Sequence, residues 1–438
     1  MTQTQSRKKN LFQMNVDLMH GPIFRSLVLF MLPILISNLF QQLYNTVDTM
    51  IVGNVLGDTA LAAIGSCGAI YELLVGFGLG IGNGLAIVAA RAYGAQEEDL
   101  LKRTVAGSLV IGLVASLTIP TAGFFGLRPL LELLDTPAEI LEDAYRYIII
   151  IDLGVIVMFA YNLCAGLLRA IGNSVMPLVF LLLSSALNVV LDLWFIAGMG
   201  MGVAGAAVAT VFAQMFVFIL FIFAIRKRHP LYRGLKLAEP RPFQYYTQII
   251  RIGLPLSLQD MLFSCCSMLI ARFVAVYGDG AVAAQKVGTQ VESLSWMAAD
   301  GFMAAINAFI SQNYGAGQLD RVKAGYRSIM KIVLVWGSLC TLLLVFLPGP
   351  IFRIFLNDDA VLPIGIDYLR IMGFSQLFMC AEITTAGAFG GLGNTLPPSS
   401  ESILLTCMRI PLLLILTKTP LGLSGIWWSI SISSILKG

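Results

Sequence analysis

The sequence is poor in charge and almost empty of histidine. Only 12% of its 438 residues are Asp, Glu, Lys or Arg, about half the share of a soluble domain. Two histidines, His20 and His229, leave no raw material for a histidine metal centre or a Cys/His nucleophile. The seven cysteines all lie inside apolar runs and form no Cys-x-x-Cys pair. They read as small core residues rather than disulfides or metal ligands. No HExxH, Ser/His dyad or paired-acid protease motif occurs, so an intramembrane enzyme is not expected, and no pore-loop signature marks a channel. The net charge of +3 is too small to argue for nucleic acid. After the basic start Arg7-Lys8-Lys9 no small-residue cleavage pattern follows. The next apolar segment is too long for a signal peptide and reads as a retained first helix.

What the sequence has in excess is apolar length. Hydrophobic residues make up 57% of it, gathered in runs near the ~20 residues that span a bilayer. The ~10-residue alternation of a membrane β-barrel is missing. The expected fold is an all-α polytopic membrane protein of twelve transmembrane helices. The spans fall near 24–52, 60–88, 103–126, 142–168, 174–197, 201–225, 246–276, 281–310, 324–347, 362–389, 397–418 and 421–438. The longest soluble stretch, 226–245, divides an N-terminal lobe (1–225) from a C-terminal lobe (246–438) as a cytoplasmic linker.

The two halves repeat each other. LGDTALAA (56–63) matches YGDGAVAA (277–284), AYGAQ (92–96) matches NYGAG (313–317), and RAIGNSVMP (169–177) matches GGLGNTLPP (390–398), all at an offset of 221. Pro129 and Pro350 keep that offset, and Pro33 and Pro255 differ by 222. A fixed offset over this length indicates a duplicated unit. Six helices per unit return the chain to its starting side, so the repeats are parallel, with their axis along the membrane normal. That plan suits a carrier whose lobes rock around a central site. By the same offset Arg226 has its counterpart near position 446, so the last helix is expected to be about two turns short. With the N-terminus inside, 20 Lys and Arg fall on the inner side and 5 on the outer. This bias places both termini in the cytoplasm.

Within the run LVFLLLSSALNVVLDLWFIA (178–197), Asn188 and Asp192 lie one helical turn apart on one face. A carboxylate there costs roughly 3 kcal/mol or more. Asp48, Asp192 and Thr210 lie about 6, 8 and 13 Å from the outer ends of spans one, five and six, at about 1.5 Å per residue. Asn188 is one turn deeper than Asp192, near Thr210. Two carboxylates, an amide and a hydroxyl form an oxygen cage suited to Na⁺, and the same acids can share and release a proton. Two plainer readings stand beside this one: Asp48 as an interfacial acid, and Asp192 as a salt-bridge partner of Arg146. Other intramembrane acids are Glu72, Asp152, Asp260, Glu292, Asp300 and Glu382, none with an acid at its repeat position. Asp48 maps to Ile270, Asp192 to Leu413 and Asn188 to Arg409, so the lobes differ electrically. Asp152, Asp260, Glu382 and Arg409 are candidates for a substrate cavity. Asp260 and Glu382 would attract a cationic substrate, with Arg409 as an alternative neutraliser of Glu382. Pro33 and Pro255 are candidate hinges or static bends.

The stretch LPILISNLFQQLYNTVDTMIVG (32–53) resembles the first helix of the multidrug and toxic compound extrusion (MATE) family. LGDTALAAIG, RAYGA, LRAIGNS, IGLP (252–255), CAEITTAGAFGGLGNTLPPS (380–399) and MRIP (408–411) extend the likeness over essentially the whole chain. The resemblance implies a V-shaped pair of six-helix lobes and efflux of organic, often cationic, compounds in exchange for Na⁺ or H⁺, with no cofactor beyond that ion. Family members with an N-lobe cation site line it with a first-helix Asp, an Asn-x-x-x-Asp pair on helix five and a Thr on helix six, here Asp48, Asn188, Asp192 and Thr210. A flippase of lipid-linked precursors on the same scaffold is the alternative. The expected partners are small organic substrates and membrane lipid, not nucleic acid. The expected setting is a monomer in a bacterial cytoplasmic membrane.

Overall fold

A computed structural model of the chain describes residues 15–134, 136–228 and 243–438. Most of the expected linker 226–245 and the basic residues Arg7, Lys8 and Lys9 lie outside the described residues. Every regular element among the described residues is a helix. The N-terminal bundle holds α1 (Ile23–Leu56), α2 (Asp58–Ser66), α3 (Gly68–Gly94), α4 (Glu98–Leu133), α5 (Ala138–Leu153), α6 (Val155–Ala170), α7 (Val175–Asp192) and α8 (Val203–Arg228). The C-terminal bundle holds α9 (Phe243–Ala275), α10 (Asp279–Gly315), α11 (Leu319–Phe346), α12 (Pro348–Phe355), α13 (Leu362–Gly373), α14 (Gln376–Gly391), α15 (Leu396–Cys407), α16 (Arg409–Leu416) and α17 (Leu423–Lys437). Seven helices are each long and apolar enough to cross a membrane, and α5 with α6, bent by 48°, makes an eighth. The other expected spans coincide with the broken helices α2/α3 and α13/α14, the more polar α10 and the short α17. Large apolar side chains such as Val276, Ile354 and Leu133 face outward, 81%, 78% and 76% exposed, as lipid-facing surfaces require.

The repeated motifs are the residues that set the turns. Gly57 and Gly278 hold φ of 85° and 95°, a left-handed backbone that only glycine adopts freely. Each is followed by an acid in the first turn of the next helix, Asp58 in α2 and Asp279 in α10. A carboxylate there complements the helix dipole. The chain thus reverses identically in both halves.

The first helix of each bundle packs against the other bundle. Leu27, Phe30 and Ile34 of α1 join Phe302, Ile306 and Phe309 of α10 in one core cluster. Ile249 and Ile252 of α9 join Leu85, Val88 and Leu163 of the N-terminal bundle in another. The crossings are close and symmetric. Gly80 of α3 lies against Ser257 of α9, and Gly301 of α10 against Leu35 of α1. Gly80 and Gly301 are 221 apart, and Leu35 and Ser257 are 222 apart.

At the end of the molecule where residue 15 lies, α3 and α10 meet directly. Gly94 lies under the backbone of Gln312, and Gly315 under the backbone of Arg91. The Arg91 guanidinium covers the Tyr314 ring at 4.9 Å, and Gln312 Nε2 donates to the Ala170 carbonyl at 2.7 Å. Residues 15–22 cross beneath both bundles. Val16 N–H donates to Gly172 O at 2.9 Å on one side. Asn313 Nδ2 (3.1 Å) and Arg321 Nη2 (3.2 Å) donate to Leu18 O on the other. This end is shut by backbone contact and by the strap.

Pro33 and Pro255 lie within continuous helices, α1 and α9. The fourth helical column of each half breaks instead, at Gly154 and at Ser375, again 221 apart.

Candidate functional site

Four elements of the N-terminal bundle bring polar side chains to one place. Asp48 comes from α1, Asn188 and Asp192 from the end of α7, Thr210 from α8, and Tyr71 from α3. The Asp48 and Asp192 carboxyls face each other within hydrogen-bonding reach. The Asn188 amide fits best with its nitrogen donating to Asp192 Oδ2 at 2.8 Å and to the Tyr44 hydroxyl at 3.0 Å. Its oxygen then accepts from the Thr210 backbone N–H at 3.1 Å. Asp192 and Asn188 are fully buried, at 0% and 1% exposure. One oxygen on each acid, Asp48 Oδ1 and Asp192 Oδ1, is buried with no hydrogen-bond partner. Directly after Asp192 the helix widens into a π-helical turn, Leu193–Gly198, a local irregularity frequent at functional positions.

The cluster adjoins a cavity of about 570 Å³ whose walls include Tyr44, Asp48, Tyr71, Tyr147, Thr210 and Gln214. A second, central cavity of about 200 Å³ lies between the bundles. Asn83, Gln259, Asp260, Trp296, Asp300 and Glu382 border it. Arg169 of α6 borders both cavities, so one helix separates them.

The sequence grouping of Asp48, Asn188, Asp192 and Thr210 is a spatial cluster. The substrate-cavity candidates divide. Asp260 and Glu382 line the central cavity; Asp152 and Arg409 do not. Asp152 is buried beside Gly123 of α4 with neither oxygen partnered. Asp152→Asn is therefore expected to leave transport unchanged and to raise the unfolding temperature, because a buried carboxylate without partners is costly; a thermal melt and an efflux assay check both halves.

Arg409 does not neutralise Glu382 directly. Its Nε donates to Ser433 Oγ at 2.7 Å and its Nη2 to Ser434 Oγ at 3.2 Å. Lys437 takes the Glu382 position instead, with Nζ 3.6 Å from Oε1. Lys437, counted above among the inner-side charges, is a buried residue, its side chain 4% exposed. The Asp192–Arg146 pair does not form either. Arg146 sits on the exposed face of α5 and pairs with Glu142 at 3.3 Å.

Tyr44, Tyr71 and Tyr147 belong to the site and were not singled out from sequence. Tyr44 carried a usable signal: it precedes Asp48 by four residues and so shares its helix face. Tyr71 and Tyr147 carried none, because a tyrosine in an apolar run reads as core.

Comparison with known proteins agrees with this architecture. The MatE family model matches residues 33–194 and again 255–415, one copy per half. A probable multidrug resistance protein of Bacillus subtilis, YoeA, is 30% identical over 92% of this chain and 89% of its own length. The probable multidrug resistance protein NorM of Thermotoga maritima is 26% identical over 92% and 88%. Among solved structures, MATE in the bent conformation superposes with a TM-score of 0.88 at 25% identity, over 96% of this chain and 94% of that one. An outward-facing multidrug resistance MATE transporter of the MOP superfamily gives 0.86 at 24%, covering 97% and 95%. With its duplicated unit matched in both halves and more than nine-tenths of its length aligned, the chain is a multi-pass membrane protein that belongs to the MatE family of multidrug efflux transporters.

Proposed function

We propose that the protein is a cation-coupled antiporter that exports organic, cationic compounds in exchange for Na⁺ or H⁺ by alternating access. The observation that carries this reading is the facing pair Asp48 and Asp192, each with a buried oxygen that no protein group satisfies. Two carboxylates in that arrangement do not both stay charged unless a cation lies between them. The neighbouring ligand atoms are oxygens, from the two acids and the Thr210 and Tyr44 hydroxyls, while the Asn188 amide nitrogen orients Asp192 and Tyr44 by donating to both. That set suits a hard monovalent cation, and a single shared proton satisfies it equally. The reading calls for no cofactor beyond the coupling ion.

The central cavity supports cationic cargo. Asp260, Asp300 and Glu382 border it, with Arg169 the one basic side chain on its wall. An anionic lipid-linked pyrophosphate would meet mostly like charge there, and the curated relatives are named for multidrug resistance.

In the proposed cycle the shut end of the molecule, with the strap of residues 15–22, faces the cytoplasm of a bacterial cell, whereas the expected cytoplasmic C-terminus is instead tucked into the C-terminal bundle, Gly438 against Phe378. A cation entering from outside neutralises the Asp48–Asp192 pair and favours substrate release and rearrangement of the lobes. A ligand shifts such an equilibrium only by its differential affinity for the two states. The reading needs no residue from a second copy of the chain and is that of a monomer.

Efflux of a fluorescent organic cation from proteoliposomes, under an imposed Na⁺ gradient and then a pH gradient, tests the reading. Acceleration by one gradient alone is expected and names the ion. A folded protein indifferent to both gradients overturns coupling.

A further inference from the structure

The C-terminal bundle contains a polar core that the proposed cycle does not use. Glu292 of α10, Tyr368 of α13, Arg409 of α16 and Trp427 of α17 are all buried. The Tyr368 hydroxyl donates to Glu292 Oε2 at 3.4 Å, and Glu292 Oε1 has no partner. Tyr368 meets the Trp427 ring edge-on at 4.7 Å. The Arg409 guanidinium is held by the Ser433 and Ser434 hydroxyls and lies 5.5 Å from the Phe263 ring. Glu382 is the stronger electrostatic neighbour of Arg409 but is already paired with Lys437; Glu292 is the other acid near it, and among the described residues neither forms an ion pair with Arg409.

Applying the offset of 221 turns these residues into a copy of the N-terminal site. Tyr71 maps to Glu292, Tyr147 to Tyr368 and Asn188 to Arg409. The environment maps as well. Cys67, packed close to Tyr147, corresponds to Gly288, which lies under the Tyr368 ring. The chemistry has been rearranged within the same frame. The acids of α1 and α7 become Ile270 and Leu413, both buried and apolar, and the acid reappears as Glu292. Where the N-terminal bundle has small Ala206, the C-terminal one has Trp427, fully buried.

We propose that this is a second, internalised cation site, in which the Arg409 guanidinium permanently occupies the place that an exchangeable cation takes in the N-terminal lobe, with Glu292 as its counter-charge. The proposal deepens the cation-site reading of the N-terminal cluster and rests on it for the analogy alone. Its consequence is asymmetric. The C-terminal lobe is always loaded and moves as one rigid body, while ion exchange is confined to the lobe with Asp48 and Asp192. The ligand class follows: with the side chain of Arg409 removed, the vacated site takes a planar guanidinium ion.

The test uses the full chain in detergent. Arg409→Ala is expected to lower the unfolding midpoint by several degrees. Millimolar guanidinium chloride should recover much of that loss, as any ligand of the folded state does, while tetramethylammonium chloride at equal ionic strength recovers none. Wild type should not respond. The double variant Arg409→Ala with Glu292→Gln should melt above Arg409→Ala alone and should also ignore guanidinium. If Arg409→Ala yields no folded protein, the double variant still tests the idea, because relieving the unpaired acid should restore folding. The proposal is overturned by an absent guanidinium response in Arg409→Ala, by an equal response in wild type, or by a double variant no better than the single one. Repeating the guanidinium shift in an Asp48→Asn background separates the two readings, since it should persist there whatever Asp48 binds.

Discussion

Asp48→Asn is expected to abolish gradient-driven efflux while leaving a folded protein. The substitution keeps the shape of the side chain and removes one of the two charges that face each other. Hydrogen bonds and contacts to a charged group are worth about 1.5–3 kcal/mol, so cation affinity should fall by about 10- to 100-fold. The cation would then no longer bias the lobe equilibrium at ordinary concentrations, and coupling is lost even where passive drug movement continues. Asp192→Asn should do the same. Because Asp192 is the more deeply buried and accepts from Asn188, its neutral form should in addition melt at a higher temperature than wild type in ion-free buffer. Efflux from proteoliposomes and thermal melts with and without Na⁺ read both effects. A variant that still accelerates under the gradient would remove Asp48 from the coupling site. Thr210→Val should be milder, since it removes one neutral oxygen and no charge from the site, the hydroxyl proton being already donated to the Ala206 carbonyl at 3.1 Å.

Much of this was readable before any coordinates. The class follows from apolar length, because a bilayer demands it of every span. The internal duplication follows from motifs that turned out to be steric necessities: the glycine before Asp58 and Asp279, and the glycines at positions 94 and 315. Such residues keep their offset because the backbone of the first pair has positive φ, and a side chain on the second pair would meet the facing main chain. The grouping of Asp48, Asn188, Asp192 and Thr210 was legible because orientation converts residue number into depth, and depth selects which polar groups can meet. Azimuth was not legible. Depth alone places Asp152 with the cavity candidates, yet it faces Gly123 and neither cavity. It also leaves Arg409 beside Glu382, whereas the chain turns Lys437 toward that acid and engages Arg409 with two serines. The helix breaks at Gly154 and Ser375 carry no proline, and a lone glycine or serine in an apolar run is compatible with an unbroken span. A proline early in a long helix, as at Pro33 and Pro255, loses one hydrogen bond, and both helices continue through it.

The second large effect is expected at the shut end. Gly94→Leu places a branched side chain where the backbone of Gln312 already stands. The two chains cannot separate there by a small rotamer change, because the obstacle is main chain. Gly94 and Gly315 occupy the same position in the two repeats, so they lie beside the axis that relates the lobes, and a wedge at either one opens the same seam. Overpacking costs typically about 1–3 kcal/mol. Here that cost falls on the shut state alone, because the clash exists only while α3 and α10 touch. A differential of that size shifts a two-state population by about 5- to 150-fold. Efflux should therefore fall toward the level of empty vesicles while the protein remains folded. The strap should loosen with the seam, since the Leu18 carbonyl takes hydrogen bonds from Asn313 and Arg321 on the C-terminal side while Val16 is bound to Gly172 on the N-terminal side. A cysteine in place of exposed Asp17 should react faster with an impermeant maleimide in the Gly94→Leu protein than in its absence. Gly315→Leu should reproduce both results, and Gly94→Ala should give a smaller loss of efflux. Wild-type efflux from either leucine variant would mean that contact between these helices is not a state through which the transporter must pass.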